Sequence, residues 1–151
     1  MSNTYLRRYL NVRWLRPENV MWRTVSSRLM DDLTVEAPSL DLGCGDGITS
    51  FIREGGDFSL DFDIFQGVGN LDALFEDEDI YDAAPDQYDP TVTDRPEVGY
   101  TVGLDHKESL LEKADKLKFY QELIHHDNNK PLPFDDDRFQ TVFSNTVYWV
   151  E

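Results

Sequence analysis

Cysteine, histidine and basic residues are scarce in this chain of 151 residues, and each shortage excludes a class of protein. A single cysteine, Cys44, excludes an intrachain disulfide. The three histidines and one cysteine form no cluster with metal-ligand spacing, so we predict no metal site. Fourteen Lys and Arg residues against thirty Asp and Glu give a net charge of −16, which disfavours nucleic acid as a partner.

Long apolar runs are also missing from the chain. No segment is long and apolar enough to cross a bilayer, and the arginine-rich start lacks the pattern of a signal peptide. We therefore predict a cytoplasmic protein with no membrane span. Hydrophobic residues still make up 40% of the chain, which is enough for a globular domain with a core.

Charge of the two signs is separated along the chain. Six arginines and one acid lie within residues 1–30, whereas residues 57–97 contain thirteen acids and one base. The basic segment could contact the acidic one or an anionic partner. Alternatively, both segments are solvated faces, which is the interpretation we favour from sequence.

The most informative segment reads Asp41-Leu42-Gly43-Cys44-Gly45-Asp46-Gly47. It follows a short apolar strand, Ser39–Leu42, and a helix is predicted to start near its end. Glycine has no Cβ, so such a turn can tighten and a ligand can approach its backbone. The dinucleotide fingerprint G-x-G-x-x-G would need a third glycine where Ile48 stands. The spacing here is D-x-G-x-G-x-G instead.

Two helices are predicted before the glycine-rich turn, one within residues 1–16 and one starting at Pro17. Apolar residues at helical spacing are expected to turn the second helix toward the core, namely Trp22, Val25, Leu29 and Leu33. Residues 57–65 alternate like a half-buried strand. Residues 66–99 are acidic, contain three prolines and show no period, which predicts either a mobile lid or a solvated insertion.

Regular structure is predicted again from residue 100. Strands are expected at residues 100–105, 120–126 and 139–145, with a helix between the first two that buries Leu110, Leu111, Ala114 and Leu117. The resulting order β-α-β-α-β-β predicts an α/β fold. We expect a Rossmann-like, doubly wound and mostly parallel sheet.

Several motifs together resemble the class I S-adenosylmethionine-dependent methyltransferases of the type-11 kind. The glycine-rich turn is similar to their first motif, and residues 100–114 are similar to their second-strand segment. Residues 132–145 resemble their LPF-x-D-x-x-F-D-x-V-x-S stretch. The resemblance implies a methyltransferase domain at 38–151 with an acidic insertion at about 57–99, after an N-terminal helical segment at 1–37.

This resemblance implies S-adenosyl-L-methionine as the cofactor and a small molecule, lipid or sugar precursor as the methyl acceptor. It implies that Asp105 and His106 meet ribose and adenine, and that Asp127 and Asn128 contact adenine. The methionine part of the cofactor and the methyl-donor pocket would be formed by Asp41, Gly43, Cys44, Gly45 and Asn145. We identify no catalytic base.

Simpler interpretations of the same residues remain open. Asp105 could be a helix N-cap, and Asp127 with Asn128 could be ordinary turn residues. Asp61 or Asp63 could replace Asp105 as the acid that ends the second strand. Cys44 is expected to be a small buried residue rather than a nucleophile.

The chain also departs from the family pattern. Gln140 stands where the family often has aspartate, Tyr148-Trp149 replaces a commonly polar pair, and only roughly four strands are predicted. We therefore expect an incomplete fold whose last strand is an open edge exposing Val142 and Phe143. Such an edge predicts self-association or a complementary chain. Two rival functions are a non-catalytic cofactor-binding module and a nucleotide-dependent oxidoreductase. The glycine spacing and the lack of a catalytic Tyr-x-x-x-Lys pair disfavour the oxidoreductase.

Overall fold

A computed structural model describes residues 4–65 and 88–145 of the chain. The helices of the described part are α1 (Thr4–Arg13), α2 (Pro17–Leu29), α3 (Ile48–Arg53) and α4 (Glu108–Lys116). The strands are β1 (Ser39–Leu42), β2 (Asp57–Phe58), β3 (Val92–Asp94), β4 (Tyr100–Asp105), β5 (Tyr120–His125) and β6 (Thr141–Ser144). Most of the predicted lid, residues 66–87, and the pair Tyr148-Trp149 lie outside the described residues.

The chain divides into two compact units. The first comprises Met1–Asp32 and Gly55–Arg95, and the second comprises Leu33–Glu54 and Pro96–Glu151. Most of the described insertion, residues 57–65 and 88–95, therefore belongs with the N-terminal helices, and residues 96–99 belong to the second unit. The domain division at 37/38 stays a prediction.

The second unit contains a four-stranded parallel sheet in the order β5-β4-β1-β6. The chain runs outward from β1 to β4 and β5, and then returns to the other side of β1 with β6. This mixed α/β arrangement is compatible with a Rossmann-like fold and confirms the predicted parallel sheet. The reversal makes the carboxyl ends of β1 and β6 a switch point, where open sheets of this kind bind ligands.

Apolar residues of the central strands form the core of this sheet. Leu40, Val102 and Leu104 are buried, and Leu42, Ile124, Phe134 and Phe139 pack against them. Helix α4 covers the sheet with Leu111, Ala114 and Leu117, as its spacing predicted. Phe143 was expected to be exposed, but it is buried, because the ring of Tyr100 lies 6.1 Å from its ring and the Arg53 guanidinium lies 4.9 Å from it.

The first unit joins α1 and α2 to a small antiparallel sheet of β2 and β3. The basic segment contacts the acidic one here, since Arg7 forms an ion pair with Asp57 and Asn11 donates to the Phe58 carbonyl at 2.7 Å. The predicted strand at 57–65 is wrong beyond Phe58. The chain turns there, and the fully buried Asp63 carboxylate accepts the N–H groups of Leu15 and Phe65.

The apolar stripe of α2 faces outward, so its predicted burial is wrong. Trp22 is 74% exposed and Leu29 is 81% exposed, and Val25 and Leu33 are exposed too. The buried face of α2 consists instead of Val20, Thr24 and Ser27. Small and polar side chains are buried here because α1 packs closely on this face, with the Tyr9 hydroxyl 2.7 Å from Ser27 Oγ. No helix within 4–65 or 88–145 has the length and apolar character needed to cross a membrane.

Candidate functional site

Polar groups gather at the carboxyl edge of the parallel sheet, where all four strands end. The register pairs Leu42 at the end of β1 with Leu104 in β4 and with Ser144 in β6. The glycine-rich turn therefore lies between Asp105 on one side and Asn145 on the other. The half-buried Asn145 directly follows β6, next to the point where this turn begins.

The turn after β1 uses glycine where its backbone needs it. Gly43, Gly45 and Gly47 have φ values of +72°, +56° and +74°, in the left-handed region that favours glycine. The N–H groups of Gly43 and Cys44 both donate to the Leu104 carbonyl, at 2.7 and 3.0 Å. These bonds fix the turn to β4 as well as to its own strand.

Asp105 connects the turn to the neighbouring strand. Its Oδ2 accepts the Gly45 N–H at 2.8 Å, and its Oδ1 accepts the Lys107 N–H at 3.0 Å, just before α4. His106 Nδ1 lies 3.3 Å from Oδ1. Asp105 thus bonds to the glycine-rich turn and to the residue just before α4. The N-cap of α4 is Lys107, so the interpretation of Asp105 as the N-cap is wrong, and its contact with a ribose stays a prediction. Asp63, the alternative acid, belongs to the other unit.

Asp41 is turned inward, beneath the turn rather than toward the edge. The residue is 2% exposed, and its carboxylate accepts the Tyr120 hydroxyl at 2.7 Å. Burial raises the pKa of Asp41 to about 6, against the opposing effect of hydrogen bonds from Ser50 and Tyr120. These hydrogen bonds all lie within the protein, and a contact between Asp41 and a cofactor stays a prediction.

Tyr120 and Ser50 are site-supporting residues that the sequence reasoning missed. The available signal was Gly103, because an isolated glycine inside a strand indicates a close approach by another group. A Cβ at Gly103 would lie 2.8 Å from Tyr120 Cδ1. Tyr120 occupies that space.

Cys44 is buried within the turn, and its thiol lies 3.7 Å from the Gly45 carbonyl oxygen. Burial raises the pKa of the thiol well above its usual range, and the charge of Asp41 adds to the effect. A thiolate is strongly disfavoured here. This agrees with a packing role rather than a nucleophilic one.

The loop after β5 combines turn chemistry with two buried polar atoms. Asp127 Oδ1 accepts the backbone N–H of Asn129 at 3.0 Å, a bond that lowers the pKa of Asp127. In contrast, His126 Nε2 and Asn128 Oδ1 are buried and have no hydrogen-bond partner within the described residues. Buried polar atoms are normally hydrogen-bonded. His126 Nε2 and Asn128 Oδ1 are therefore exceptions to this rule, and the contact of Asp127 and Asn128 with adenine stays a prediction.

The histidines connect the ends of β4 and β5 rather than forming a metal site. His125 Nε2 lies 2.8 Å from the His106 carbonyl oxygen, and the His126 N–H donates to the Asp105 carbonyl at 2.9 Å. Across the ranges that the structure describes, no three His, Cys, Asp or Glu side chains are arranged to hold a metal ion.

Comparison with known proteins found no matching family model, no similar curated protein and no similar solved structure. Function must therefore be inferred from the residues and geometry of the chain itself.

Proposed function

We propose that the protein binds S-adenosylmethionine at the carboxyl edge of its parallel sheet and transfers the methyl group to a small-molecule, lipid or sugar-type acceptor. The observation that carries the proposal is the 2.8 Å hydrogen bond between the Gly45 N–H and Asp105 Oδ2. It brings a D-x-G-x-G-x-G turn against an acid that ends the adjacent parallel strand. A turn open to a ligand's methionine part and an acid suited to a ribose are then neighbours.

The hydrogen-bonding capacity of Asp105 supports a ribose contact. An ionised carboxylate offers about four lone-pair positions. Gly45 takes one position on Oδ2, and Lys107 takes one on Oδ1. The second position on Oδ2 suits a ribose hydroxyl, and the contact would be charge-assisted.

Methyl transfer requires little of the protein beyond the positioning of donor and acceptor. The methyl group of a sulfonium is already activated, so holding donor and acceptor in line supplies much of the rate enhancement. The acids of the edge, Asp46 and Asp105 among them, favour a cationic donor. We assign no general base, and a cytoplasmic location stays a prediction.

Calorimetric titration with S-adenosylmethionine, S-adenosylhomocysteine and NAD tests this proposal. We expect both sulfur ligands to bind and NAD not to bind. Gly45→Val should abolish binding, because it puts a branched side chain in the cofactor's path. Gly55→Val is the matched control, because Gly55 also has a positive φ of 111° but has open space around it.

Each alternative function predicts its own outcome in these titrations or in an assay of methyl transfer. Binding of NAD alone would favour an oxidoreductase, and cofactor binding without turnover of any acceptor would favour a non-catalytic module. A wild-type chain that binds neither sulfur ligand, or a Gly45→Val variant with unchanged affinity, would overturn the proposed site.

A further inference from the structure

The ring of Tyr120 fills a space that two glycines leave open. A Cβ at Gly47, in the turn, would lie 2.9 Å from Tyr120 Cε2, and one at Gly103, in β4, would lie 2.8 Å from Tyr120 Cδ1. Either side chain would require the ring to move. The Cβ at Gly103 would also lie 2.8 Å from Leu123 Cδ2. Gly47 thus makes room for the Tyr120 ring, and Gly103 makes room for this ring and for Leu123.

The hydroxyl of the same residue bonds to Asp41. Tyr120 Oη donates to Asp41 Oδ2 at 2.7 Å, and Ser50 in α3 is a second hydrogen-bond donor to this carboxylate. Burial and the Asp41 charge raise the pKa of Tyr120, so its hydroxyl stays protonated and remains a donor. The buried Asp41 carboxylate of β1 is therefore hydrogen-bonded to both α3 and β5.

Charged and titratable groups surround this carboxylate on several elements. Arg53 in α3 lowers the pKa of Asp41, whereas Asp105 at the end of β4 raises it. The Cys44 thiol and the Tyr100 hydroxyl also face Asp41 and have their pKa values raised in part by its charge. Loss of the Tyr120 hydroxyl would remove a hydrogen bond that favours the ionised form.

We infer that Tyr120 is a positioning residue for cofactor binding: its ring supports the glycine-rich turn, and its hydroxyl holds the Asp41 carboxylate inward. The inference rests on the proposed function, since the ligand it concerns is the cofactor. Tyr120 touches no ligand in this account. It acts by keeping the turn and the start of α3 in one arrangement.

Protonation of Asp41 should loosen this arrangement. A protonated carboxyl turns one oxygen into a donor and loses the charge that strengthens its bonds to Tyr120 and Ser50. Affinity for the cofactor should therefore decline as the pH falls through about 6, where Asp41 titrates.

The test measures the dissociation constant of S-adenosylhomocysteine by calorimetry from pH 5 to 8. Tyr120→Phe keeps the ring and removes only the hydroxyl. We expect about tenfold weaker binding at pH 7.5, with the decline starting at a higher pH than in the wild type. Tyr9→Phe is the matched control, since this fully buried tyrosine has its hydroxyl 2.7 Å from Ser27 Oγ and belongs to the other unit. Its affinity and pH profile should match those of the wild type.

The Asp41→Asn variant tests whether Asp41 is the source of the pH dependence of binding. This control is needed because the predicted site also contains His106. This variant should bind with no decline near pH 6. If Tyr120→Phe fails to fold, the Asp41→Asn variant still tests the inference. An affinity that still declines near pH 6 in Asp41→Asn would overturn it.

The outcomes separate this inference from the proposed function. A Tyr120→Phe protein that melts earlier but binds with the wild-type affinity and pH profile would show a purely structural role and overturn the inference alone. A wild-type protein that does not bind S-adenosylhomocysteine would overturn the proposed function and this inference with it.

Discussion

At the residue scale, two buried aspartates of the chain have the same kind of environment in different units. Asp105 accepts the N–H groups of Gly45 and Lys107, and Asp63 accepts those of Leu15 and Phe65. Both are buried. Of the two, only Asp105 ends a strand beside the glycine-rich turn. Comparing variants of the two residues therefore distinguishes the proposed ligand contact from the structural role that both residues share.

We expect Asp105→Ala to weaken binding of S-adenosylhomocysteine by about 1–3 kcal/mol, the scale of a lost charge-assisted hydrogen bond. Asp63→Ala removes a carboxylate with equivalent backbone partners and should lower stability without changing the affinity of the folded protein. Calorimetric titration of both variants checks this. Equal losses of affinity in the two, or a loss confined to Asp63→Ala, would contradict the assignment.

Asp41 should make stability depend on pH. Its pKa is about 6 in the folded protein against an ordinary value of 3.8, so the folded state favours the neutral acid. The stabilisation this provides is complete below about pH 4 and is lost as the pH rises through 6, because the unfolded state then releases the proton more readily. The difference between the two pKa values corresponds to about 3 kcal/mol.

Urea unfolding of the wild type and Asp41→Asn from pH 3 to 8 measures this effect, because the other carboxylates titrate in both proteins. The difference in unfolding free energy should shift in favour of the variant as the pH rises, and should level off above about pH 7. A difference that stays constant across this range would show that Asp41 does not titrate there.

At the element scale, α2 reverses the usual relation between apolarity and burial. Its apolar stripe is exposed, and the face toward α1 is made of Val20 and small polar residues. The helix therefore gains its packing from close approach to α1 rather than from its largest side chains. Val20 and Val25 are the same residue type on opposite faces of one helix.

Val20→Ser should cost about 2 kcal/mol of unfolding free energy, because the side chain is 1% exposed and its burial is lost. Val25→Ser should cost less than about 1 kcal/mol, since that side chain is 46% exposed. Urea unfolding at one pH compares the two. A larger cost at Val25 would mean that the stripe is covered in solution.

At the scale of the whole molecule, the strand order leaves β6 with no strand on its outer side in the part of the chain that the structure describes. Val142 in this strand is 59% exposed. Edge strands with exposed apolar side chains can pair with a further strand. A second copy or a complementary chain at this edge therefore stays a prediction.

Sedimentation at several concentrations tests this edge. We expect concentration-dependent association of the wild type and a reduction in Val142→Lys, because a lysine on an edge strand opposes pairing. Val98→Lys is the control, as Val98 is also exposed but lies outside the sheet. A wild type that remains monomeric at all concentrations, or equal reductions in both variants, would count against pairing through β6.

The sequence by itself determined the local features. The glycine spacing indicated a tight turn, the bounds of β1 were predicted as Ser39–Leu42, and the apolar period located α4. These features depend on backbone conformation and on neighbours within one or two turns, which the local sequence controls. The same residues led to Asp105 as the acid of the neighbouring strand, and the sheet order agrees with that choice.

Only the tertiary structure decided which faces are buried and which polar atoms meet. Helical spacing marks the apolar stripe of α2, but spacing alone does not say which face packs, and α1 covers the opposite one. The residues of the Asp41–Tyr120 bond are 79 positions apart, so no local pattern indicates that they meet. Strand β4 lies between β1 and β5 in the sheet. Asp41 and Tyr120 still meet because Gly47 and Gly103 leave space for the tyrosine ring.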